Sequence, residues 1–168
     1  MIRRLGPGHA AAYRRLMHEA YARHPEAFTS TAAERATLPL DWWVRRLAPE
    51  PDAVERVWGA FAGGHLVGAV GLEKSLRTKI RHKGTVFGMY VKQSCRHGGV
   101  GRKLLGAVLG EAHRNRLRQL HLTVTEGNTA ASELYERMGF MAWGTEPDAV
   151  RWRGHSWAKV HYALSLRR

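Results

Sequence analysis

Apolar residues recur at Tyr13, Leu16, Met17, Ala20 and Tyr21, a spacing of threes and fours that winds them into one stripe of an amphipathic helix. A short opening strand precedes it. From His24 to Pro39 apolar positions thin out among Pro, Thr and Ser, which predicts a lid or pocket wall. Trp42, Trp43 and Leu47 then predict a short helix ending before Pro49 and Pro51. At Val57 the pattern changes: Val57–Ala62 and Leu66–Leu72 are two apolar runs joined through Gly63-Gly64, whose missing side chains permit the positive φ of a hairpin turn.

A basic stretch, Leu76–Lys83, reads as an exposed loop before a strand over Thr85–Val91. Gly101, Leu104, Leu105, Val108 and Ala112 form a second helical stripe, closed by His113, Arg114 and Arg116, cations suited to the negative end of a helix. Leu120–Val124 is a short buried strand. Asn128 can cap a third helix with the stripe Ala131, Leu134, Tyr135 and Met138, and Gly139 stands where a left-handed C-terminal cap is needed. Two further strands are expected, one through Trp143 and one from Trp157 to Leu166. This order predicts a mixed α/β (α+β) sheet with helices on both faces. The connections are too short for a linker, so 1–168 is expected to be one domain.

Composition narrows the partners. Lys and Arg number 27 against 14 Asp and Glu, a formal charge of +13 that favours anions. With 44% hydrophobic residues, 18 Gly and 6 Pro, the chain is not of the low-complexity, disordered kind. Cys95 is the only cysteine, which excludes an internal disulfide framework or a multi-thiolate zinc site and suits a reducing compartment. The ten His show no His-Glu-x-x-His or other metal spacing. The basic start, Met1–Gly8, lacks the apolar stretch of a secretory signal, and the most apolar window, Val57–Leu72, is interrupted by Gly63-Gly64-His65. A cytoplasmic protein without a membrane span is expected.

The most informative segment is Met89-Tyr90-Val91, followed by Arg96-His97-Gly98-Gly99-Val100-Gly101 and a helix. Three glycines remove Cβ atoms where strand turns into helix, so successive backbone N–H groups can surround a phosphate with help from the helix dipole. No Gly sits three residues after Gly101 and no Gly-Lys-Ser/Thr follows, which excludes a dinucleotide fingerprint and a nucleoside-triphosphate loop. On the loop alone, a ligand-free glycine turn is an equal alternative.

Arg96-x-x-Gly99-x-Gly101, the preceding Met89-Tyr90-Val91 strand, and Asn128-x-x-Ala131-x-x-Leu134-Tyr135-Glu136-Arg137-Met138-Gly139-Phe140 together resemble the GNAT superfamily of acetyl-CoA-dependent N-acetyltransferases. The resemblance spans roughly Val57 to Phe140 and departs at Gln93, where family members often have Pro. It implies a mixed, mostly antiparallel central sheet. It further implies that Met89, Tyr90 and Val91 meet the pantetheine arm and thioester, that Arg96, His97, Gly98, Gly99, Val100, Gly101 and Arg102 wrap the pyrophosphate, and that Asn128 and Tyr135 contact the cofactor. Tyr135 is then the candidate acid for the leaving thiolate. An extended strand edge can pair with pantetheine amides much as with a peptide.

The expected reaction is acetyl transfer from acetyl-CoA to a primary amine of a small molecule or peptide, by direct attack in a ternary complex. An alkylamine is mostly protonated at neutral pH, so a base is needed; Glu73, at the end of the second hairpin arm, is the candidate, with Glu26, Glu34 and His82 as substitutes. The acceptor pocket is expected from His24–Leu47 and Gly144–Ser156. Bland readings stand beside these: Tyr135 as a packing residue, Asn128 as a cap, Cys95 as a filler, Leu76–Lys83 as a solvated face rather than a nucleic-acid site, and Trp42 and Trp43 as core or homodimer contacts. Rival functions are acetylation of a protein N-terminus or lysine, and a non-catalytic basic nucleic-acid-binding module whose affinity falls steeply with salt.

Overall fold

A computed structural model describes residues 1–166, with the side chain of His97 outside the described part. The strands are β1 (Ile2–Arg4), β2 (Glu55–Ala62), β3 (His65–Lys74), β4 (Lys83–Val91), β5 (Gln119–Thr125), β6 (Met141–Trp152) and β7 (His155–Ser165); the helices are α1 (Ala10–Arg23), α2 (Ala32–Ala36), α3 (Leu40–Arg46), α4 (Val100–Arg114) and α5 (Thr129–Arg137). The strands form one sheet in the order β1-β2-β3-β4-β5-β7-β6. Every neighbouring pair is antiparallel except β4 with β5. No helix of the described residues is long and apolar enough to cross a membrane.

Successive side chains of a strand point to opposite faces, and the apolar run of β3 therefore feeds two cores. Ala69 packs with Tyr13, Leu16, Met17 and Trp43 beneath α1 and α3, whereas Val70 and Leu72 pack with Leu104, Leu105 and Val108 of α4. Both helical stripes expected from spacing face the sheet. The hairpin between β2 and β3 turns at Gly63 and Gly64, with φ of +52° and +79°.

Three local features differ from expectation. Helix α2 is additional: Thr31 and Glu34 form a capping box, the Thr31 Oγ1 accepting from the Glu34 N–H at 3.1 Å while Glu34 accepts from the Thr31 N–H at 2.7 Å. β6 and β7 extend through much of the segment between the two expected strands, because bulges between Ala142 and Gly144 and between Glu146 and Val150 absorb the irregular residues, Pro147 among them, on an edge strand where a missing donor costs little.

The third lies in β4. Ala69 pairs with Tyr90 but Gly71 with Phe87, so three steps of β4 face two of β3, and the extra residue is taken up at Gly88 with φ +60°. Past this bulge the central strands part. β4 and β5 are in register only from Lys83 with Gln119 to Thr85 with His121, although β4 runs on to Val91 and β5 to Thr125.

Candidate active site

The opening between the parted strands is a cleft of about 1030 Å³, lined by Met89, Tyr90 and Val91 of β4, by Arg96, Gly99, Gly101 and Arg102 at the start of α4, and by Asn128, Leu134 and Arg137 at α5. A smaller cavity of about 470 Å³ shares Phe28, Met89, Thr125, Asn128 and Leu134 with it and reaches deeper, to Gly88, Tyr135, His121, Lys159 and His161. The two adjoin through these shared residues, the larger forming the mouth and the smaller the inner end.

Lys92 donates its backbone N–H to the Val67 carbonyl at 2.8 Å, and peptide groups along a strand alternate in direction. The peptide groups of Met89 and Val91 therefore face away from β3, into the gap where β5 has left the ladder. Tyr90 is turned the other way. Its ring is buried under α1 beside His24 and Arg96, and its hydroxyl donates to Glu19 Oε1 at 2.9 Å.

The starts of α4 and α5 flank the mouth and are built differently. Asn128 caps α5, its Oδ1 accepting from the Ala131 N–H at 3.3 Å, so the cap reading holds while the residue also lines both cavities. α4 begins at Gly99, with φ +67° and no side-chain cap. Its first intrahelical bond runs from the Lys103 N–H to the Gly99 carbonyl at 3.1 Å, and the amides before it lie in the uncompensated first turn. A Cβ on Gly99 would meet no protein atom within 4 Å, whereas one on Gly101 would lie 3.1 Å from Leu134 Cδ2 and 3.4 Å from Met89 Cε. Gly99 thus keeps the cleft open, and Gly101 lets α4 approach α5 and β4.

Other expected site residues fall as follows. Arg96 folds back: its Nε donates to the Val91 carbonyl at 2.9 Å and its Nη2 to His24 Nε2 at 2.9 Å, tying the end of β4 to the segment after α1. Arg102 is exposed at the mouth. Gly98 and Val100 form the turn and first helical residue without lining either cavity, and the His97 side chain lies outside the described residues. Tyr135 is 6% exposed, edge-on to Phe140 at 5.8 Å, and borders the inner cavity; burial pushes its phenol well above the ordinary value.

Glu73 is exposed in the register of Glu55 and Thr85 and lines neither cavity. The last residues of β3 run past the apolar cover of α1 and α3, which takes Leu66 and Ala69 of this strand. Nor do Gly144–Ser156 line either cavity; the inner one is walled by Ala27–Thr29, by β4 and α5, and by side chains of β5 and β7.

Those side chains are what sequence reasoning missed. His121, Thr123 and Thr125 on β5 face the same side as Lys159 and His161 on β7, by the register of Thr123 with His161 and Thr125 with Lys159. His161 Nε2 is 3.0 Å from Glu146 Oε2 of β6, so with Nε2 carrying the proton the carboxylate orients the ring and leaves Nδ1 a lone pair. His121 has an unpartnered, buried Nε2, and its pKa is lowered by burial and then by Lys83, His161 and His82. A signal was present: polar residues at every second position in two otherwise apolar strands.

Backbone donors along an open strand, an uncapped helix start, and Arg102 and Arg137 at the mouth fit a long amide-bearing chain that ends in a pyrophosphate. Comparison with known proteins agrees with this. The profile of the Acetyltransferase (GNAT) family matches residues 13–140. The mycothiol acetyltransferase of Salinispora tropica is 34% identical over 133 residues, 79% of this chain and 41% of that protein, and that of Salinispora arenicola is 34% identical over 141 residues, 83% and 44%. The chain thus spans about two-fifths of the length of these curated relatives. A GNAT acetyltransferase from Streptococcus pneumoniae superposes with a TM-score of 0.88 at 22% identity over 99% of both chains, and yncA of Salmonella typhimurium, solved with its cofactor acetyl-CoA, with 0.81 at 21% over 100% of this chain and 94% of that one. At such identities the superpositions speak for the fold.

Proposed function

The chain belongs to the acetyltransferase (GNAT) family, and from that premise we propose that it catalyses acetyl-CoA-dependent N-acetylation of an amine on a small molecule or peptide, by direct attack within a ternary complex. The observation that carries this reading is the gap between β4 and β5: its mouth ends at the uncapped α4 and its inner end holds ionisable side chains.

Acetyl-CoA supplies the acetyl group as a thioester. The first-turn amides of α4, with Arg102 and Arg137, hold the pyrophosphate, and the outward N–H and carbonyl of Met89 and the Val91 N–H align the pantetheine arm. Backbone N–H groups at the Gly88 bulge stabilise negative charge as it develops on the carbonyl oxygen. His161 replaces Glu73 as the base: its Nδ1 takes the proton from the amine as the N–C bond forms, with Glu146 holding the ring through Nε2. Tyr135 gives its proton to the sulfur as the C–S bond breaks, and burial keeps it in the protonated state that donation needs.

The test is calorimetric titration with acetyl-CoA together with acetyl-CoA-dependent thiol release over a panel of amines. Binding plus turnover of at least one amine is expected. A protein that binds no acetyl-CoA would overturn the reading.

A further inference from the structure

The inner cavity holds a charge that the reaction above does not use. Lys159 is 6% exposed, and its ammonium donates to Thr125 Oγ1 at 2.8 Å and to the Ala27 carbonyl at 3.0 Å. Both partners line the same cavity as Lys159 itself. An ammonium has three protons, so one remains after these two bonds. Lys159 makes no salt bridge among the described residues. Of the two carboxylates whose charge reaches it, Glu146 is bound to His161, and Glu26, 3.6 Å from His24, makes no salt bridge with Lys159. The described lining of the inner cavity includes Lys159, His121 and His161 and no Asp or Glu, while Glu26 and Glu126 line the adjoining cleft.

A buried ammonium bonded only to neutral oxygens loses hydration that those oxygens do not fully replace. A carboxylate entering the cavity would restore it with a charge-assisted bond in a partly dry site. The same charge opposes any second ammonium on the acceptor and favours the neutral, reactive form of its amine. Lys159 and His161 stand two residues apart on one face of β7, roughly 7 Å between Cα atoms, so a single small molecule can meet both.

Resting on the acetyl transfer inferred above, we propose that Lys159 receives an anionic group of the acceptor. The substrate class is then an amine that also carries a carboxylate, such as an amino acid or a short peptide, and not a polyamine or aminoglycoside.

The test uses wild-type protein, acetyl-CoA and matched acceptors differing only at the anion: amino acids and acidic dipeptides against their carboxamides, phosphoethanolamine against ethanolamine, with spermidine and kanamycin as polycations. The carboxylate member of a pair is expected to exceed its carboxamide by tenfold or more in kcat/KM, and a comparable gap only in the phosphate pair would reassign the anion and overturn the carboxylate. Lys159→Met should collapse the ratio through KM, with Lys159→Arg restoring part of it. A strut that merely holds the Ala27 segment would lower both members alike and leave the ratio unchanged. Equal rates within pairs, preference for the polycations, or no turnover of any carboxylate-bearing amine while acetyl-CoA binds, would each overturn the proposal on wild-type protein alone. Failure to bind acetyl-CoA would instead remove the reading of the cleft.

Discussion

The two ends of the cleft are made from different material. At the mouth, much of the surface comes from one stretch, the end of β4 through the start of α4, with α5 and the segments His24 and Glu26–Phe28 beside it, and that stretch presents peptide groups, glycines and exposed arginines. At the inner end it comes from Ala27–Thr29, β4, β5, α5 and β7, and the side chains that it presents from segments far apart in the chain include Lys159, His121, His161 and Tyr135. A ligand part that is the same in every turnover can be held by backbone, whose pattern depends on path rather than residue identity. A part that must be discriminated needs side chains of defined charge. The family match ends at residue 140, so β7, which carries Lys159 and His161, lies beyond it.

If this division is right, the largest effect belongs to the mouth. Gly99→Val puts a branched side chain on a left-handed residue facing the open cleft, and acetyl-CoA affinity should fall at least about a hundredfold, as expected when two or more charge-assisted bonds of about 1.5–3 kcal/mol are lost. Calorimetry measures the loss, and native far-UV circular dichroism would place it in the cleft; normal binding would break the comparison at its stronger half. Gly101→Val is the less clean probe, because its new side chain would also strike Leu134.

Tyr135→Phe tests the wall that α5 gives to the inner end. It keeps the ring against Phe140 and removes the proton, so kcat should fall by roughly 10²–10⁴ with acetyl-CoA affinity unchanged. The raised phenol also has a thermodynamic sign. The unfolded chain ionises first, so stability is full below the ordinary tyrosine value of about 10 and is lost as pH rises above it. Urea titrations at pH 8 and 11 should show that loss reduced in Tyr135→Phe and retained in part, because Tyr13 is buried with its phenol likewise raised.

At the inner end, His161→Gln should lower kcat by about a hundredfold with acetyl-CoA affinity unchanged, and Glu146→Gln should do the same more weakly, since it removes the charge that orients the ring and not the base. An unchanged kcat in His161→Gln would remove the imidazole from the mechanism. The smallest effect is expected at Glu73→Gln, where kcat/KM should stay within about twofold, as befits an exposed surface substitution. A large drop there would mean that the acceptor reaches beyond Thr85 across β4.

The fold was legible because its signals are local. Tyr13 to Tyr21 and Leu104 to Ala112 repeat at helical spacing, and Gly63-Gly64 announces its own hairpin. The mouth was legible for the same reason: Gly99 and Gly101 stand two residues apart at a strand-to-helix turn. That Glu73 is exposed and lines neither cavity was not legible, because burial depends on which element covers a strand end, and nothing in residues 66–74 records that. Arg96 was expected to face a phosphate, but its partners, the Val91 carbonyl and His24, include a residue 72 positions away in the chain.

By itself, the order of residues determined the hydrophobic periods, the glycines that permit positive φ, the cap at Asn128 and the strongly basic charge, since each acts over a few neighbours or over the whole chain. Tertiary structure alone decided where β4 and β5 part, that Gly88 takes up the bulge, and that Ala27, Thr125, Lys159 and His161 share one cavity. Those outcomes follow from strand register. A shift of one residue between β5 and β7 would turn Lys159 and His161 to the opposite face, and that register is settled by two cores packing at once on both faces of the sheet, not by any segment read alone.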